Sequence, residues 1–267
     1  LENDLVPRAG YELKTIDAYG LSKKLTLENL KKMCKTLKGF KEAKKIIQDF
    51  KPDIVIGTGG YICGATISAA HSLKIPTLLH ESNAFPGKAV KMLSGKADTI
   101  LVSFKDAQDR IRKGANVVFT GTPVKIKKKE YSQQEKETIL HKEGLNVDKP
   151  IVLAFGGSQG AKKINDAIVE IIKNKLNENY QMIWAVGPKQ YDGIKEELKK
   201  SDIDIENLES IKALPYIYNM EELINICDLV VCRSGAMTIT EIAIVQKPAI
   251  FIPLPSVGAN RQEDNAR

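Results

Sequence analysis

Short apolar runs alternate with amphipathic stretches along most of the chain. The runs predict strands at 53–57, 76–80, 98–102, 116–120, 151–155, 181–186, 209–214, 228–232 and 248–252. Stretches of helical periodicity fall near 61–73, 87–95, 105–113, 160–174, 190–200, 219–226 and 235–246. This alternation is typical of βαβ units, in which helices join parallel strands.

The alternation is interrupted once, by a polar, lysine-rich stretch from Val124 to Lys149, and starts again at Pro150. We therefore predict two α/β domains, residues 1–123 and 124–267, each a Rossmann-like doubly wound domain, facing each other across a cleft. Ligands of open parallel sheets bind outside the carboxyl ends of the strands. The loops that follow the predicted strands are thus the places to look for a site.

Composition narrows the class of protein. Hydrophobic residues make up 43% of the 267 residues, as in ordinary globular proteins, and no apolar stretch approaches the roughly 18 residues of a membrane span. The first residues, LENDLVPRAG, carry neither the basic nor the apolar region of a signal peptide. We expect both ends to be internal to a longer protein.

The four cysteines form no CxxC and the three histidines lie at no metal-ligand spacing, so we expect buried thiols in a reducing cytosol and no metal.

The positive charge is concentrated in one segment. The chain carries a net charge of +7, and residues 21–51 hold ten lysines against Glu28, Glu42 and Asp49. Apolar residues recur there at helical spacing, which predicts a basic amphipathic helix. Such a helix either lies on an anionic membrane or packs its apolar stripe on its own domain with solvated lysines. The charge pattern leaves both readings open.

Two glycine clusters, GTGGYICG (57–64) and GGSQGA (156–161), each follow a strand and begin a helix. A third strand–turn–helix junction is CRSGAMTITE (232–241). Glycine lets a ligand approach the backbone, and the first N–H groups of a helix attract phosphate. Any one of these turns could be only structural, but three at strand carboxyl ends favour a phosphate-bearing ligand.

The glycine clusters do not fit the common nucleotide motifs. Neither contains GxxxxGK[ST], and Ile62 takes the third glycine position of GxGxxG. Glu81 follows Gly59 by 22 residues, where a ribose-binding acid of a dinucleotide enzyme would stand. An NAD-type oxidoreductase is therefore an alternative, although it leaves the second half of the chain unexplained.

The motifs PDIVIGTGGYICG, IPTLLHESNAFPG, FTGTPVK, LAFGGSQGAKKIN and DLVVCRSGAMTITEIA occur in the order seen in the MurG family, which this chain resembles over nearly its whole length. The resemblance implies a GT-B fold with an N-terminal acceptor domain and a C-terminal donor domain, both incomplete here. It also implies transfer of N-acetylglucosamine from UDP-GlcNAc to the C4 hydroxyl of the muramyl sugar of lipid I, giving lipid II for peptidoglycan. Related GT-B enzymes (an epimerase or a lipid galactosyltransferase) and a non-catalytic binding fragment are the alternatives.

The resemblance also assigns donor-binding residues in the second half. It places the uracil reader at the backbone of Ile217, the ribose-binding acid at Glu241, and the diphosphate at the two turns. The donor set is Lys125, Ser158, Gln159, Gly160, Ile217, Arg233, Ser234, Gly235, Ala236, Glu241, Gln262 and Asn265. Simpler readings remain for some of them: Glu241 as an exposed helix acid, Ser158 as an N-cap, and Arg233 paired with a local carboxylate.

The acceptor set implied by the resemblance is Gly59, Gly60, Tyr61 and Asn83, with Glu81 as the candidate catalytic base. Tyr61 could instead only pack. The family's first glycine loop, with its histidine, has no counterpart in this chain. Thr122 and Lys125 replace the family's Asn and Arg, and lysine lacks bidentate recognition of phosphate.

The resemblance implies partners as well. We expect UDP-GlcNAc as co-substrate with no further cofactor, lipid I as acceptor, an anionic membrane surface and no nucleic acid. The lipid tail of the acceptor favours the membrane reading of the lysine-rich helix, and hence a peripheral place on the cytoplasmic face of the bacterial plasma membrane.

Overall fold

The computed structural model describes residues 2–17, 27–157, 160–254 and 261–267, without the side chains of residues 4 and 27–35. The chain divides into two compact units, Leu1–Thr122 and Pro123–Arg267, one residue from the boundary that the sequence predicts. Each unit contains one parallel sheet. In the described residues, no helix combines the length and the apolar character needed to cross a membrane.

The first unit contains a four-stranded sheet in the order β1-β2-β3-β4. Its strands are β1 (Val55–Gly57), β2 (Thr77–Glu81), β3 (Thr99–Val102) and β4 (Val117–Phe119). Its helices are α1 (Glu2–Arg8), α2 (Leu27–Phe50), α3 (Ile62–Ser72) and α4 (Lys88–Leu93), with a 3₁₀ helix at Lys105–Arg110. Successive strands add on one side, so the described part of this sheet does not show the doubly wound order.

The helix α3 packs against both the sheet and α2 in the first unit. Its apolar residues Cys63 and Ile67 contact Leu79 and Ile100 of the sheet, whereas its alanines at 65, 69 and 70 contact Ala43 and Ile47 of α2. Gly57 lies where β1 meets this layer, and a Cβ there would stand 3.0 Å from Leu79 and 3.1 Å from Ile67. A side chain at the first glycine of the GTGG cluster would therefore force these neighbouring side chains to shift.

The second unit contains a five-stranded sheet in the order β7-β6-β5-β8-β9. Its strands are β5 (Ile151–Phe155), β6 (Gln181–Ala185), β7 (Ile211–Leu214), β8 (Leu229–Cys232) and β9 (Ala249–Phe251). Its helices are α5 (Gln133–Lys142), α6 (Lys162–Lys173), α7 (Tyr191–Lys199), α8 (Met220–Ile226), α9 (Ala236–Val245) and α10 (Arg261–Ala266), with a 3₁₀ helix at Ile205–Asn207. The order reverses between β5 and β8, which makes this sheet doubly wound.

The helix α5 lies in the stretch from Val124 to Lys149, for which the sequence pattern predicted no element. Ser132 accepts a hydrogen bond from the backbone N–H of Glu135, and the Glu135 carboxylate accepts one from the backbone N–H of Ser132. This capping box begins the helix, and Ile139 and Leu140 bury its apolar side. The SxxE signal was present in the sequence but was hidden among lysines.

Three cysteines are buried free thiols: Cys63, Cys227 and Cys232. Burial raises the pKa of Cys227 and of Cys232 to about 12, so both stay protonated at neutral pH. Their role is packing, as the spacing of the cysteines predicts. The side chain of Cys34 lies outside the described residues.

A buried hydrogen-bond network joins α6, β6 and α7. Trp184 is 0% exposed, and its Nε1 donates to Asn165 Oδ1 at 2.9 Å. Asn165 Nδ2 donates to the Val186 carbonyl at 2.8 Å and to Gln190 Oε1 at 3.1 Å. One amide therefore satisfies a buried indole, a carbonyl and a glutamine at once.

We expect Asn165→Ala to lower the free energy of unfolding by about 2–3 kcal/mol, because it leaves the Trp184 N–H and the Val186 carbonyl buried without partners. Urea unfolding followed by Trp184 fluorescence measures this effect. Asn174→Ala, at the exposed end of the same helix, is the matched control and should cost under about 1 kcal/mol. Equal losses in the two variants would contradict the network's importance.

Candidate functional site

The three glycine turns all lie at the carboxyl ends of strands and precede helices without side-chain caps. The residues before α3, α6 and α9 are Tyr61, Ala161 and Gly235, and none of them caps its helix with a side-chain hydrogen bond. The helix α5, by contrast, is fully capped. The first N–H groups of an uncapped helix are open to an anion, and the helix dipole favours negative charge there.

The turn after β5 is built around glycines that no other residue could replace. A Cβ on Gly156 would lie 2.4 Å from the Ala161 nitrogen, and one on Gly160 would lie 2.4 Å from the Val186 carbonyl oxygen. Gly157 and Gly160 also adopt positive φ. The turn is therefore wound tightly over the start of α6. Ser158 and Gln159, both predicted donor residues, lie outside the described residues.

The turn after β8 carries a buried hydroxyl without a partner. Ser234 is 0% exposed, and its Oγ has no hydrogen bond in the described part of the chain. Gly235 and Ala236 follow it and begin α9. A buried unpaired hydroxyl costs free energy unless a ligand completes it. This turn therefore fits a ligand with acceptor oxygens, such as a diphosphate.

Arg233 holds the neighbouring loop. Its Nη1 donates to the carbonyls of Ile252 at 2.9 Å and Pro253 at 3.1 Å, and burial lowers the pKa of its guanidinium. The local carboxylate partner considered from the sequence is not found among the described residues. The reason is that the end of β9 lies beside the end of β8 and offers two carbonyls.

Glu241 lies on α9, downstream of the Ser234 turn. Burial raises the pKa of its carboxyl, and none of the described residues hydrogen-bonds to it. The exposed helix acid considered from the sequence is therefore wrong, because the side chain is half-buried. A half-buried carboxylate without a partner is suited to accept bonds from ligand hydroxyls.

Ile217 follows β7 at the same edge of the sheet. Its side chain is buried in the core, so any contact of Ile217 with a ligand would have to come from its backbone. Tyr216 and Tyr218 flank it and are exposed, with ring centroids 4.9 Å apart in an edge-to-face arrangement. The sequence analysis did not single out these two tyrosines.

The helix α10 contacts the loops after β8 and β9. Gln262 Oε1 accepts a hydrogen bond from the Leu254 N–H at 2.7 Å, and Asn265 Nδ2 donates to the Ser234 carbonyl at 3.4 Å. The buried Nε of Arg261 has no partner in the described residues, which adds a candidate that the sequence analysis missed. Lys125 is exposed, and no described contact links it to these turns.

In the first unit, Gly59 and Gly60 both adopt positive φ with open space around them, and they lead into Tyr61. Tyr61 is 59% exposed, so it does not serve as a packing residue. Cys63 Sγ donates a hydrogen bond to the Gly59 carbonyl at 2.7 Å, which restrains the turn. The GTGGY turn therefore presents backbone and a phenol at the carboxyl edge of the sheet.

Glu81 and Asn83 form one loop at the end of β2. Glu81 is 4% exposed, and its Oε1 accepts bonds from the backbone N–H and Nδ2 of Asn83, both at 2.9 Å. Its Oε2 accepts the Gly87 N–H at 2.6 Å. The carboxylate thus holds the loop from 82 to 87 closed, a role that the sequence did not indicate.

The predicted residues therefore fall into two groups. The described donor residues, apart from Lys125, lie at the carboxyl edge of the second sheet, and the acceptor residues lie at the carboxyl edge of the first. Across the described ranges, no cluster of three or more His, Cys, Asp or Glu side chains could hold a metal ion.

Comparison with known proteins shows the family of the chain. Residues 1–102 match the glycosyltransferase family 28 N-terminal domain, and residues 151–267 match the glycosyltransferase family 28 C-terminal domain. The UDP-N-acetylglucosamine--N-acetylmuramyl-(pentapeptide) pyrophosphoryl-undecaprenol N-acetylglucosamine transferase of Caldanaerobacter subterraneus subsp. tengcongensis is 43% identical over 267 residues. The match covers 100% of this chain and 72% of that protein.

Two solved structures are also similar to this chain. The crystal structure of Acinetobacter baumannii MurG matches with a TM-score of 0.68 and 29% identity, over 100% of this chain and 71% of that one. The UDP-GlcNAc 2-epimerase of Neisseria meningitidis bound to UDP-GlcNAc has a TM-score of 0.58 at 14% identity, over 92% of this chain and 69% of that one, which shows the fold alone. These findings do not favour the NAD-type oxidoreductase or the epimerase. The chain belongs to glycosyltransferase family 28 and, within it, to the MurG family.

Proposed function

We propose that this chain transfers N-acetylglucosamine from UDP-GlcNAc to the C4 hydroxyl of the muramyl sugar of lipid I, producing lipid II for the bacterial cell wall. The observation that carries the proposal is the turn after β8. There the described residues leave the buried Ser234 hydroxyl and the half-buried Glu241 carboxylate without hydrogen-bond partners. Both lie on the same short segment as a helix start that has no side-chain cap. A diphosphate, with a ribose beside it, would complete all three.

The donor would be held by complementary groups along α9. The N–H groups at the start of the helix would donate hydrogen bonds to the diphosphate, and the Glu241 carboxylate would accept bonds from the ribose hydroxyls. The backbone of Ile217 would read the uracil, while Gln262 and Asn265 would reach the donor sugar. As UDP departs, helix N-termini would stabilise its developing charge, so we propose that no further cofactor is needed.

We propose an inverting displacement for the chemistry. A base removes the proton of the acceptor hydroxyl, its oxygen attacks C1 of N-acetylglucosamine, and the C1–O bond to UDP breaks. Glu81 is our candidate base, because a carboxylate has about four acceptor positions and the described contacts occupy three. The position that remains, on Oε2, could receive the proton.

We expect Glu241→Ala to weaken UDP-GlcNAc binding at least about 10²-fold, because it removes two charge-assisted hydrogen bonds to the ribose. Calorimetric titration measures this, with UDP-glucose and NAD as competing ligands. Glu196→Ala, which removes an exposed acid on α7, is the matched control and should leave the affinity unchanged. Unaltered binding in Glu241→Ala would remove the proposed ribose contact.

The same carboxyl gives a pH dependence with a definite sign. Since burial raises the Glu241 pKa above its ordinary 4.5, the carboxylate is lost as pH falls through that raised value. Affinity for UDP-GlcNAc should therefore decline on acidification, beginning above the usual glutamate range. The stability of the ligand-free protein changes in the opposite direction. Because the folded state binds the Glu241 proton more tightly than the unfolded state does, the free energy of unfolding rises as pH falls.

We expect Glu81→Gln to slow transfer at least about 10²-fold, because it removes the proposed base. Turnover with a lipid I analogue measures the rate, and UDP-GlcNAc affinity should stay unchanged. A raised KM for the acceptor with an unchanged kcat would instead assign Glu81 only to holding the loop. A near-normal rate would exclude it as the base.

We also propose that the chain binds the cytoplasmic face of the plasma membrane through α2. The described second half of this helix packs Ala43 and Ile47 on α3, which is the self-packing reading of the sequence. On the opposite side of this described half, Leu37 is 60% exposed. Lys41 and Lys45, also exposed, follow it one and two helical turns later. An apolar residue in line with lysines fits an anionic surface.

We expect binding to vesicles containing anionic phospholipid to weaken several-fold in the double variant Lys41→Gln/Lys45→Gln, and to weaken sharply with added salt. Vesicle co-sedimentation measures both effects. A double variant of exposed lysines on the second unit, Lys142→Gln/Lys200→Gln, carries the same change of charge and is the control. If vesicle binding depends neither on salt nor on Lys41 and Lys45, the role of α2 is only to pack on α3.

A further inference from the structure

A second, basic pocket lies at the opposite edge of the second sheet. It is formed by the loop before α5, the start of α5 and the ends of α8 and α9, and it encloses a cavity of about 540 Å³. Asp228 and Pro248 line it, immediately before β8 and β9. The pocket therefore lies at the amino ends of these strands, whereas the proposed donor site lies at their carboxyl ends. A four-residue strand such as β8 separates its two ends by about 13 Å.

Lysines dominate the lining of this pocket. Lys128, Lys129, Lys136 and Lys247 face it, against the acids Glu130 and Asp228. Asp228 already accepts the backbone N–H of Ile151 at 2.8 Å, so part of its acceptor capacity is used by the fold. Among the described residues, none of the four lysines makes an ion pair, whereas other lysines of this unit, such as Lys162 and Lys195, do.

Hydrogen bonds and a cation–π contact restrain the segments that carry these lysines. Buried Asn225 accepts the Lys129 backbone N–H at 2.9 Å and donates to the Lys127 carbonyl at 3.1 Å, which fixes the loop. Lys128 Nζ donates to Gln246 Oε1 at 2.6 Å, and Lys129 Nζ lies 4.4 Å from the centre of the Tyr131 ring. The capping box of Ser132 and Glu135 fixes the turn of α5 from which Lys136 projects. Four lysines against two acids thus line one cavity, and an anion bound there would offset the excess positive charge.

We propose that this pocket is an anion site, separate from the donor site, for a ligand that bears phosphate groups with two or more negative charges. Lysine ammonium groups bind phosphate as point charges and need no single planar geometry, which suits a cavity of this size. The phosphate can come from a small soluble polyphosphate or from a phospholipid headgroup. The chemistry of recognition is the same for both.

The test is calorimetric titration of the chain with inorganic pyrophosphate in the presence of saturating UDP, which occupies the donor site. We expect one pyrophosphate per chain, bound at least about tenfold more weakly by Lys136→Gln/Lys247→Gln and more weakly in added salt. The control variant Lys142→Gln/Lys200→Gln should bind as the unchanged chain does. Thermal unfolding establishes that each variant is folded, and an unchanged UDP affinity establishes that the donor site is intact.

A vesicle arm separates the two sources of phosphate. If Lys136→Gln/Lys247→Gln also weakens co-sedimentation with vesicles of anionic phospholipid, beyond the loss in the control variant, the ligand is a headgroup. If only pyrophosphate binding falls, the ligand is a soluble anion. If neither binding depends on Lys136 and Lys247 in folded variants, the proposal is wrong, whether or not UDP-GlcNAc binds the donor site.

Discussion

Parallel strand direction is the constraint on which the arrangement of this protein depends. Because all five strands of the second sheet run the same way, the turns after β5, β7, β8 and β9 meet at one edge. Residues as distant in sequence as Gly160, Ile217 and Ser234 thereby reach one place. The same constraint sends the starts of β8 and β9 to the other edge, where the basic pocket lies. One topology thus produces two chemically different surfaces.

The position of the glycine turn after β5 depends on the core residues that contact it. Gly160 can approach the Val186 carbonyl only because it lacks a side chain, and that carbonyl is itself held by Asn165. Asn165 in turn is anchored to the buried indole of Trp184. The position of the loop therefore follows from the packing of α6 on β6. Loosening this network would therefore also loosen the turn that we propose to hold the donor.

The sequence predicted most of the fold, because strands and helices leave local periodicities. The strands found in the described residues lie where the pattern places them. Contacts between distant residues leave no such mark. The bonds from Arg233 to the carbonyls of Ile252 and Pro253 depend on β8 and β9 being neighbours, and the closed loop around Glu81 depends on backbone geometry at Gly87. The helix α5 was missed for a different reason: its capping box was readable, but its lysine-rich surroundings suggested a linker.

The two acids singled out by their motifs show how hydrogen bonding separates structural from ligand-binding roles. Glu81 is buried and its oxygens accept three N–H bonds from its own loop, so the fold already satisfies most of its capacity. Glu241 is half-buried, its pKa is raised by burial, and the described residues give it no partner. A fold that pays desolvation without supplying a partner leaves that carboxylate to be satisfied by a ligand. By this reasoning Glu241 should matter mainly for binding, whereas Glu81 holds the loop that carries Asn83 in addition to its proposed role as the base.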